Sequence, residues 1–496
     1  MTATPAPPPA ASASPVSDPH LLGTSPGSTL LTVPVRSLVQ RQPVTLPPTA
    51  SIREAAQRMG AQRVSSVLIV ADGALVGLVT DRDLRNRVVA AGLDTSRPVM
   101  DITSLAPLTV DAEAPLFDAL LLMARNNIHH VPVRDGAAVV GMLTATDLTA
   151  QHSGSAVFLV GAIHRQTTVA GLAELAAGVG PLQRHLAAAQ ASAYATGHII
   201  SAITDAVTVR LLHLAEAELG PPPVPYAWVA AGSQARSEQT ARSDQDNCML
   251  LDDRYDPSLH GAYFSALAQR VNDGLNTCGY VYCPGEMMAR TDTWRQPLQQ
   301  WLALVDGWTR QPEPMALMLT CVFFDLRLVH GEAGLLQALQ RHALAATRGN
   351  TLFLAHMVGN ALKHRPPLSV FGGLAKIRSG THRGTIDLKH TGIAPIVDLA
   401  RILALASGDA AVNTHDRLAA ATTGQEISPQ SARDLREALE FLAALRIRHQ
   451  AGQMARGLPP DNFLPPDGLS NFERTQLKDA FAVVRLVQSV LAQRYH

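Results

Sequence analysis

The sequence predicts an α+β multidomain protein: a pair of β-α-β-β-α repeats, a helical linker, a mixed-sheet core and a C-terminal helical bundle. Three observations predict this fold class. The chain has 496 residues, too many for one compact core. Two N-terminal segments repeat at a constant spacing, and apolar residues recur at helical spacing towards the C-terminus. The predicted segments are a disordered tail (1–28), a repeat pair (31–150, divided as 31–94 and 95–150), a helical linker (151–222), a core (223–340) and a bundle (345–496).

Composition restricts the partners and the compartment. Lys plus Arg and Asp plus Glu number 41 each, so no global charge attracts a nucleic acid backbone or an anionic membrane. The N-terminus lacks the pattern of a signal peptide, and no stretch reaches the roughly 18 uninterrupted apolar residues of a membrane span. We therefore expect a cytoplasmic protein, with reduced buried thiols at the unpaired cysteines Cys248, Cys278, Cys283 and Cys321.

The N-terminal repeat keeps one register without a gap. "PVTLPPTASIREAAQRM" from residue 43 aligns with "PLTVDAEAPLFDALLLM" from residue 107, and "GLVTDRDL" from 77 with "GMLTATDL" from 141, a single shift of 64 residues. Each copy reads as an extended segment, an amphipathic helix, two β-rich runs joined at an Asp-Gly turn, and a closing helix. Such a unit buries one sheet face against its partner copy.

The two copies resemble a tandem pair of CBS domains over residues 31–150, because both retain the glycine, threonine and aspartate of the G-h-h-T-x-x-D motif. Such pairs bind adenine nucleotides between the copies and commonly form homodimers. The resemblance implies that Val131 to Val133 flank the base and that four polar residues meet ribose and phosphate: Thr80, Asp83, Thr144 and Asp147. Threonine and aspartate at these places also suit helix N-caps. Ligand sensing and a purely structural role therefore both remain open.

The linker is rich in alanine and leucine, which favours helix, and Gly220 followed by "PPPVP" ends it. Its histidines have no metal-ligand spacing and are interpreted as surface or packed side chains: His164, His185, His198 and His213.

The core opens with a strand, a tight turn and a second strand. "YAWVAA" (226–231) reads as a strand, and Gly232 and Ser233 break it before the helix-compatible "QARSEQTA". A helix N-terminus after glycine offers free N–H groups to a phosphate. "SDQDNCMLL" (243–251) reads as the next strand, in which Asp244 and Asp246 share a face. A divalent cation, best Mg²⁺, relieves their repulsion; the alternative is an ordinary polar loop.

This order of elements resembles the nucleotidyltransferase superfamily defined by DNA polymerase β. "GSQARSEQTARSDQDN" is similar to the DUF294-type nucleotidyltransferases found beside CBS domains, whose characterised relatives are the protein-PII uridylyltransferases. The resemblance continues through "CPGEMMARTDTWRQPLQQW" (283–301), "FFDLRLVHG" (323–331) and "IDLKHTGIAPIVDLARILAL" (386–405). It covers nearly everything after residue 155.

The resemblance implies roles for the residues of the first motif. Gly232 and Ser233 would hold the nucleotide phosphates, and Asp244 and Asp246 would hold Mg²⁺ as catalytic carboxylates. Two further nucleotide-binding candidates, Arg236 and Glu238, either position phosphate or brace the loop, and bracing is favoured.

Superfamily members usually place a third carboxylate on a later strand, where it acts as a general base. Only Glu286 is available at the comparable place. Asp325 is a rival, although beside Arg327 it is more typical of a structural ion pair.

The C-terminal bundle would grip the second substrate. Its most basic window is "KIRSGTHRGTIDLKH" (376–390), which sets Lys376, Arg378, Arg383 and Lys389 against Asp387. This window either closes over the triphosphate or an acidic acceptor, or is a solvated loop.

These inferences predict an Mg²⁺-dependent, uridylyltransferase-like or adenylyltransferase-like enzyme that transfers a nucleoside monophosphate from an NTP to a hydroxyl. The expected acceptor is a protein, PII-like or other, and adenine nucleotide at the CBS pair would regulate the reaction. The alternative is a non-catalytic nucleotide-sensing signalling protein with a degenerate transferase fold. The neutral net charge disfavours an RNA substrate.

Overall fold

A computed structural model describes residues 34–39, 42–126, 128–145, 147, 156–311, 323–369 and 373–495. The tail predicted for residues 1–28, and Cys321, lie outside the described residues. The predicted α+β multidomain fold is confirmed: small mixed sheets alternate with helices, and the C-terminal part is helical.

The strands are β1 (Thr45–Leu46), β2 (Ser66–Ala71), β3 (Ala74–Thr80), β4 (Ser104–Leu105), β5 (Val110–Asp111), β6 (His130–Asp135), β7 (Ala138–Thr144), β8 (Tyr226–Ala231), β9 (Asn247–Leu251), β10 (Arg295–Pro297), β11 (Leu326–Gly331), β12 (Ile386–Asp387) and β13 (Phe463–Leu464). The α-helices of four or more residues are α1 (Ile52–Gln62), α2 (Leu116–Asn126), α3 (Ala156–Arg165), α4 (Val169–Ala176), α5 (Val179–Ala188), α6 (Ala193–Leu219), α7 (Gly232–Ala235), α8 (Pro257–Thr277), α9 (Leu298–Arg310), α10 (Ala333–Thr347), α11 (Thr351–Ala361), α12 (Ala394–Ser407), α13 (Thr414–Thr423), α14 (Pro429–Ala455) and α15 (Asn471–Tyr495).

The two N-terminal repeats fold alike. Strands β1 to β4 form one sheet and β5 to β7 another, each built around an antiparallel hairpin, β2–β3 or β6–β7. Both hairpins have a register shift at the same place, after Ile69 and after Val133, opposite Gly77 and Gly141. A side chain at Gly77 would come within 2.2 Å of Thr103, so the close approach of the chain there requires glycine.

The repeats differ in what they pack against. The first has a hydrophobic cluster of its own, from Leu46 to Ile102. The second shares one continuous core with the linker helices and with one face of the β8–β9 sheet, where Trp228 and Met249 lie. The second repeat is therefore part of the same packed body as the sheet that follows it.

The core sheet has the strand order β10-β9-β8-β11, with β9 and β11 both antiparallel to the central β8. The predicted strand 226–231 is confirmed. The second strand begins at Asn247 rather than at Ser243, because only from Asn247 onwards does the chain pair continuously with β8. Residues alternate between the linker-side core and a second core against α9 and α10 that contains Trp301 and Phe323.

Two described helical stretches are long and apolar enough to cross a membrane: α6 and Lys389–Ser407. In the fold, 72% and 61% of their most apolar windows are buried. α6 packs against α2, α3 and α8, and α12 lies in the C-terminal bundle beside α11 and α13. Burial of this extent is what core helices show, so length and composition are weak evidence for a membrane span here.

Candidate active site between the core sheet and the helical bundle

The turn after β8 is held by its two neighbouring strands. The backbone N–H of Ala231 donates to the carbonyl of Asp246 at 2.9 Å, and that of Gly232 donates to the carbonyl of Asp325 at 3.1 Å. Gly232 has a positive φ of 58°, which glycine adopts without strain. The predicted helix is only the four residues of α7, so its dipole is small, and the N–H of Gly232 is already bonded. Ser233 follows and lines the cavity described below.

The two aspartates precede β9 in extended backbone. Between them, Gln245 is buried, its backbone N–H donates to the carbonyl of Val281, and its side-chain amide donates to the carbonyls of Asn272 and Tyr280. Because side chains alternate in extended chain, Asp244 and Asp246 point the other way. Their carboxylate oxygens lie within 4.8 Å of each other.

The paired charges are not neutralised by the protein. Burial raises the pKa of Asp246 to about 6, and the charge of Asp244 adds to the rise. Among the described residues, no lysine, arginine or histidine forms an ion pair with either carboxylate. Two carboxylates left in this state fit a divalent cation, which removes their repulsion and accepts oxygen ligands.

A thiol completes this group of side chains. Sγ of Cys283 lies within 4.8 Å of the ligand oxygens of both Asp244 and Asp246. A parallel bridge between Gln245 and Tyr282 sets the thiol beside the carboxylates. The sequence predicts only a reduced buried thiol at Cys283; its place at the start of the "CPGEMMA" segment was the available signal.

Glu286 is not brought into this group. Its side chain is exposed, and its backbone has a positive φ of 54° in the turn that follows Cys283. Its carbonyl accepts a hydrogen bond from Thr291. The structure thus gives no support to Glu286 as the third catalytic carboxylate, because the turn directs the chain away from the aspartates.

Asp325 is the centre of a buried ion cluster. It is 0% exposed, and its two oxygens accept hydrogen bonds from Arg236 at 2.5 Å, Arg401 at 2.6 and 2.9 Å, and Arg417 at 2.5 Å. Burial alone would raise the pKa of Asp325, but the three guanidinium groups hold it well below its usual range. The structural interpretation of Asp325 fits this geometry, although the partner expected was wrong: Arg327 pairs instead with Asp205 at 2.8 Å.

Arg236 and Glu238 join the core turn to the bundle. Arg236 donates to Glu238 at 2.7 Å as well as to Asp325. The other oxygen of Glu238 accepts from the backbone of Thr414 at 3.0 Å, and Asn413 donates to the carbonyl of Arg236 at 2.7 Å. Both side chains are thus occupied by protein partners, which agrees with a bracing role.

A cavity of about 530 Å³ separates the core turn from the bundle. Ser233, Arg236 and Asp244 line it from the core, and Lys389 and Arg446 line it from the bundle, among further residues. Within the described chain, neither Lys389 nor Arg446 forms an ion pair. A cavity with carboxylates on one wall and unpaired cations on the other suits a phosphate-bearing ligand with its metal ion.

Arg446 was missed by sequence reasoning because it lies in a long amphipathic helix, α14. It donates to Asn462 at 2.7 Å and to Thr240 at 3.4 Å. Burial lowers its pKa to about 10, against the opposing charges of Asp387 and Asp244. The guanidinium of Arg446 therefore remains charged at neutral pH and is attracted electrostatically to Asp244 on the opposite wall of the cavity.

The predicted basic window divides into two parts. Lys389 lines the cavity. Lys376 binds both carboxylate oxygens of Asp467, at 2.7 and 2.8 Å, on the exposed surface. Arg378 and Arg383 do not line this cavity, so Lys389 is the member of the window at the site.

The threonines and aspartates of the repeats form two matching capping boxes. Thr80 donates to Asp83 at 2.7 Å, and Thr144 donates to Asp147 at 2.6 Å. Each aspartate N–H returns a bond to its threonine. This geometry fulfils the N-cap interpretation, and the nucleotide-binding role of the four residues stays a prediction.

A cavity of about 340 Å³ lies between the repeats. Thr144 and Asp147 line it from the second copy, and Arg63, Ser65 and Ser66 line it from the first. Val131 and Val133 are 0% exposed in the core and are not among the residues that line this cavity; that residues 131–133 flank a base stays a prediction.

A mixed sheet whose Asp244 lines a cavity opposite Lys389 and Arg446, joined to a repeat pair with a cavity of its own, defines a protein suited to phosphate-bearing ligands. Family models match this architecture along most of the chain. "CBS domain" matches residues 35–90 and 99–152, "Putative nucleotidyltransferase DUF294" matches 178–315, and "Putative nucleotidyltransferase substrate binding domain" matches 351–495. The chain therefore carries a tandem CBS pair followed by a DUF294 nucleotidyltransferase domain and the substrate binding domain that accompanies it.

Individual relatives match shorter stretches. The CBS domain-containing protein YhcV of Bacillus subtilis is 33% identical over 114 residues, 23% of this chain and 81% of that protein. The CBS domain-containing protein CBSCBSPB3 of Arabidopsis thaliana is 30% identical over 114 residues, 23% of this chain but only 20% of that protein. A solved CBS domain protein from Pyrobaculum aerophilum, complexed with AMP, is 35% identical; the match covers 26% of this chain and 98% of that one, with a TM-score of 0.24.

Proposed function

We propose that this protein is a divalent-metal-dependent nucleotidyltransferase that moves a nucleoside monophosphate from an NTP to a hydroxyl acceptor and releases pyrophosphate. One observation carries the proposal: Asp244, with a carboxylate oxygen of Asp246 within 4.8 Å of its own, lines a cavity whose opposite wall carries Lys389 and Arg446. Mg²⁺ is the cation expected for two carboxylates and a triphosphate. When bound, it would neutralise phosphate charge and hold the phosphates in line for displacement.

Other residues that line the cavity would bind the phosphates of the NTP and stabilise the leaving group. Lys389 and Arg446 would bind phosphate oxygens and stabilise the charge that develops on the departing pyrophosphate. The hydroxyl of Ser233 would orient the phosphates on the other wall. In the transfer, the acceptor oxygen forms a bond to the α-phosphorus, the bond to the pyrophosphate oxygen breaks, and the hydroxyl proton passes to solvent or a phosphate oxygen.

The helical bundle would present the acceptor. Its family model describes a substrate binding domain, and residues from α11, α12 and α14 line the cavity. A side-chain hydroxyl of a protein, as in the uridylyltransferases that the sequence resembles, would have to reach the same cavity. We therefore propose a protein acceptor, PII-like or other, presented from the bundle side.

The CBS pair would regulate this site by binding an adenine nucleotide. The cavity beside Thr144 and Asp147 offers hydroxyl, carboxylate and, from Arg63, guanidinium groups. The second copy also contacts the transferase turn directly: Arg125, at the end of α2, donates to the hydroxyl of Ser237 at 3.3 Å. Ser237 lines the transferase cavity and has a positive φ of 59°. This contact offers a route for the nucleotide signal.

The alternative is a nucleotide sensor without turnover. One observation favours it: in the described chain, the aspartate group contains a thiol rather than a third carboxylate, and Glu286 is exposed outside it. A protein of this kind would bind NTP in the same cavity and would change shape without transferring the nucleotide.

The test uses the full-length protein with each α-labelled NTP, Mg²⁺ or Mn²⁺, and a cell lysate as acceptor source. We expect label on a discrete species with the wild type and with Asp479→Asn, an exposed control on α15. The double variant Asp244→Asn/Asp246→Asn should label at least about 10³-fold more slowly, because the cation loses its ligands. Equal labelling by the double variant contradicts the proposal. Saturable NTP binding without label on any species supports the sensor.

A further inference from the structure

The donor atoms at the aspartate pair are not those of an all-oxygen site. Sγ of Cys283 and a carboxylate oxygen from each of Asp244 and Asp246 lie within 4.8 Å of one another, the one group of this kind in the part of the chain that the structure describes. Cys283 is 9% exposed, so its sulfur faces the carboxylates rather than solvent. Three ligand atoms at this spacing can contact one ion together after small side-chain rotations.

The sulfur is held in place by its own loop. The bond from the Gln245 N–H to the Val281 carbonyl, at 3.0 Å, and the bridge from Gln245 to Tyr282 align residues 281–283 alongside the aspartate segment. This alignment places Sγ of Cys283 beside the two carboxylates.

The nearest charged neighbours of the thiol are members of the same group, since its sulfur lies within 4.8 Å of carboxylate oxygens of Asp244 and Asp246. Burial and the charge of Asp246 raise the pKa of the Cys283 thiol to about 12, so a divalent cation that takes the sulfur and both carboxylates as ligands must displace the thiol proton, which leaves to solvent. Three protein ligands leave coordination positions open for phosphate oxygens.

On this geometry, and resting on the proposed function of the same site, we propose that Cys283 is the third protein ligand of the cation and determines which metal is bound. Thiolate is a soft ligand that favours Zn²⁺ or Co²⁺, whereas Mg²⁺ prefers oxygen ligands in octahedral geometry. The site therefore binds Zn²⁺ and Co²⁺ more tightly than Mg²⁺. This refines the expectation of Mg²⁺ drawn from the aspartates alone.

The test is cobalt spectroscopy on the metal-free full-length protein. Co²⁺ bound to a thiolate gives a near-ultraviolet sulfur-to-cobalt charge-transfer band, in addition to the visible bands of any bound Co²⁺. We expect this band in the wild type, its loss in Cys283→Ser, and its retention in Cys278→Ser, a buried free cysteine outside the group. By calorimetry, Cys283→Ser should weaken Zn²⁺ binding by about tenfold or more and leave Mg²⁺ binding nearly unchanged.

A second variant guards against a folding artefact. Cys283→Asp supplies an oxygen ligand at the same place, so it should lose the charge-transfer band and reverse the preference towards Mg²⁺. Visible cobalt bands without a charge-transfer band in the wild type would overturn the role of Cys283 and leave the aspartate site intact. Failure of the wild type to bind any of these cations, with Asp244→Asn/Asp246→Asn indistinguishable from it, would instead overturn the proposed metal site itself.

Discussion

Two acidic centres lie on either side of β8, and the protein treats their charges in opposite ways. The backbone N–H of Ala231 donates to the carbonyl of Asp246, and the N–H of the next residue, Gly232, donates to the carbonyl of Asp325. Both acidic residues therefore lie beside the same end of β8. Asp325 is fully buried and is bound by three arginines. The aspartates before β9 have no described ion-pair partner and adjoin a cavity. The buried carboxylate of Asp325, which is bound by arginines, has a structural role. The carboxylates of Asp244 and Asp246, which have no ion-pair partner among the described residues, favour the binding of a cation from solvent.

The largest effect is expected from removing the paired charge. Asp325→Asn removes the anion shared by Arg236, Arg401 and Arg417. Arg236 keeps Glu238 and Arg401 keeps Asp398, but the buried Arg417 loses its ion-pair partner, so the change should destabilise the protein by about 3–5 kcal/mol. Asp101→Asn, whose partner Arg97 is exposed, should cost no more than about 1 kcal/mol. Urea unfolding of the two variants measures the contrast. Similar losses would show that burial of the cluster contributes little.

The ion cluster around Asp325 should also affect how the stability of the protein changes at acidic pH. The folded-state pKa of Asp325 is lowered by its arginines, so its contribution to stability is fully present above the unfolded value of about 4 and is lost as the pH falls below it. We expect the urea midpoint of the wild type to fall as the pH drops below about 4, and more steeply than that of Asp325→Asn. Parallel curves for the two proteins would contradict this assignment.

Removing the charges of Asp244 and Asp246 should have the opposite effect on stability to removing the charge of Asp325. In metal-free buffer, Asp244→Asn/Asp246→Asn removes a repulsion, and should leave the thermal midpoint unchanged or raise it. A divalent cation at about 100 times its dissociation constant should stabilise the wild type by about 2.7 kcal/mol and the variant hardly at all. Calorimetric scans with and without metal test this. A large destabilisation of the metal-free variant would mean that these aspartates are structural too.

The smallest effect concerns the opposite wall of the cavity. Lys389→Ala should weaken NTP binding by about tenfold, the value of one charge-assisted hydrogen bond, and Arg446→Ala should behave similarly. Lys376→Ala removes a lysine of the same window that is paired with Asp467, and should leave NTP affinity unchanged. Titration with a fluorescent nucleotide distinguishes them. Equal weakening by Lys376→Ala would indicate a diffuse charge effect rather than a contact.

The repeat pair and the fold class could be predicted because their signals are local. A shift of 64 residues relates α1 to α2, β2 to β6 and β3 to β7, as the aligned sequences predicted. Alternation in extended chain likewise placed Asp244 and Asp246 together. These inferences need only the periodicity of side chains along one segment.

The rest of the site depends on contacts between distant segments. Asp325 meets Arg401 and Arg417 across 76 and 92 residues, so the neighbouring Arg327 was a misleading partner. Arg446 is an ordinary helix residue until α14 packs over the cavity. Glu286 was the nearest carboxylate in sequence, yet the turn after Cys283 takes it outwards and leaves the sulfur inside. No local pattern separates these outcomes.

The position of Asp325 has a consequence for how this protein can be divided in the laboratory. The transferase and substrate-binding family models end at residue 315 and begin at residue 351, so the segment that carries Asp325, β11 and α10 falls between them. A fragment cut at those limits would lose an edge strand of the sheet, and a separately expressed bundle would carry the buried Arg417 without Asp325, its ion-pair partner. Dissection into the recognised modules should therefore yield insoluble halves, while co-expression with the intervening segment attached to the core should restore a soluble pair.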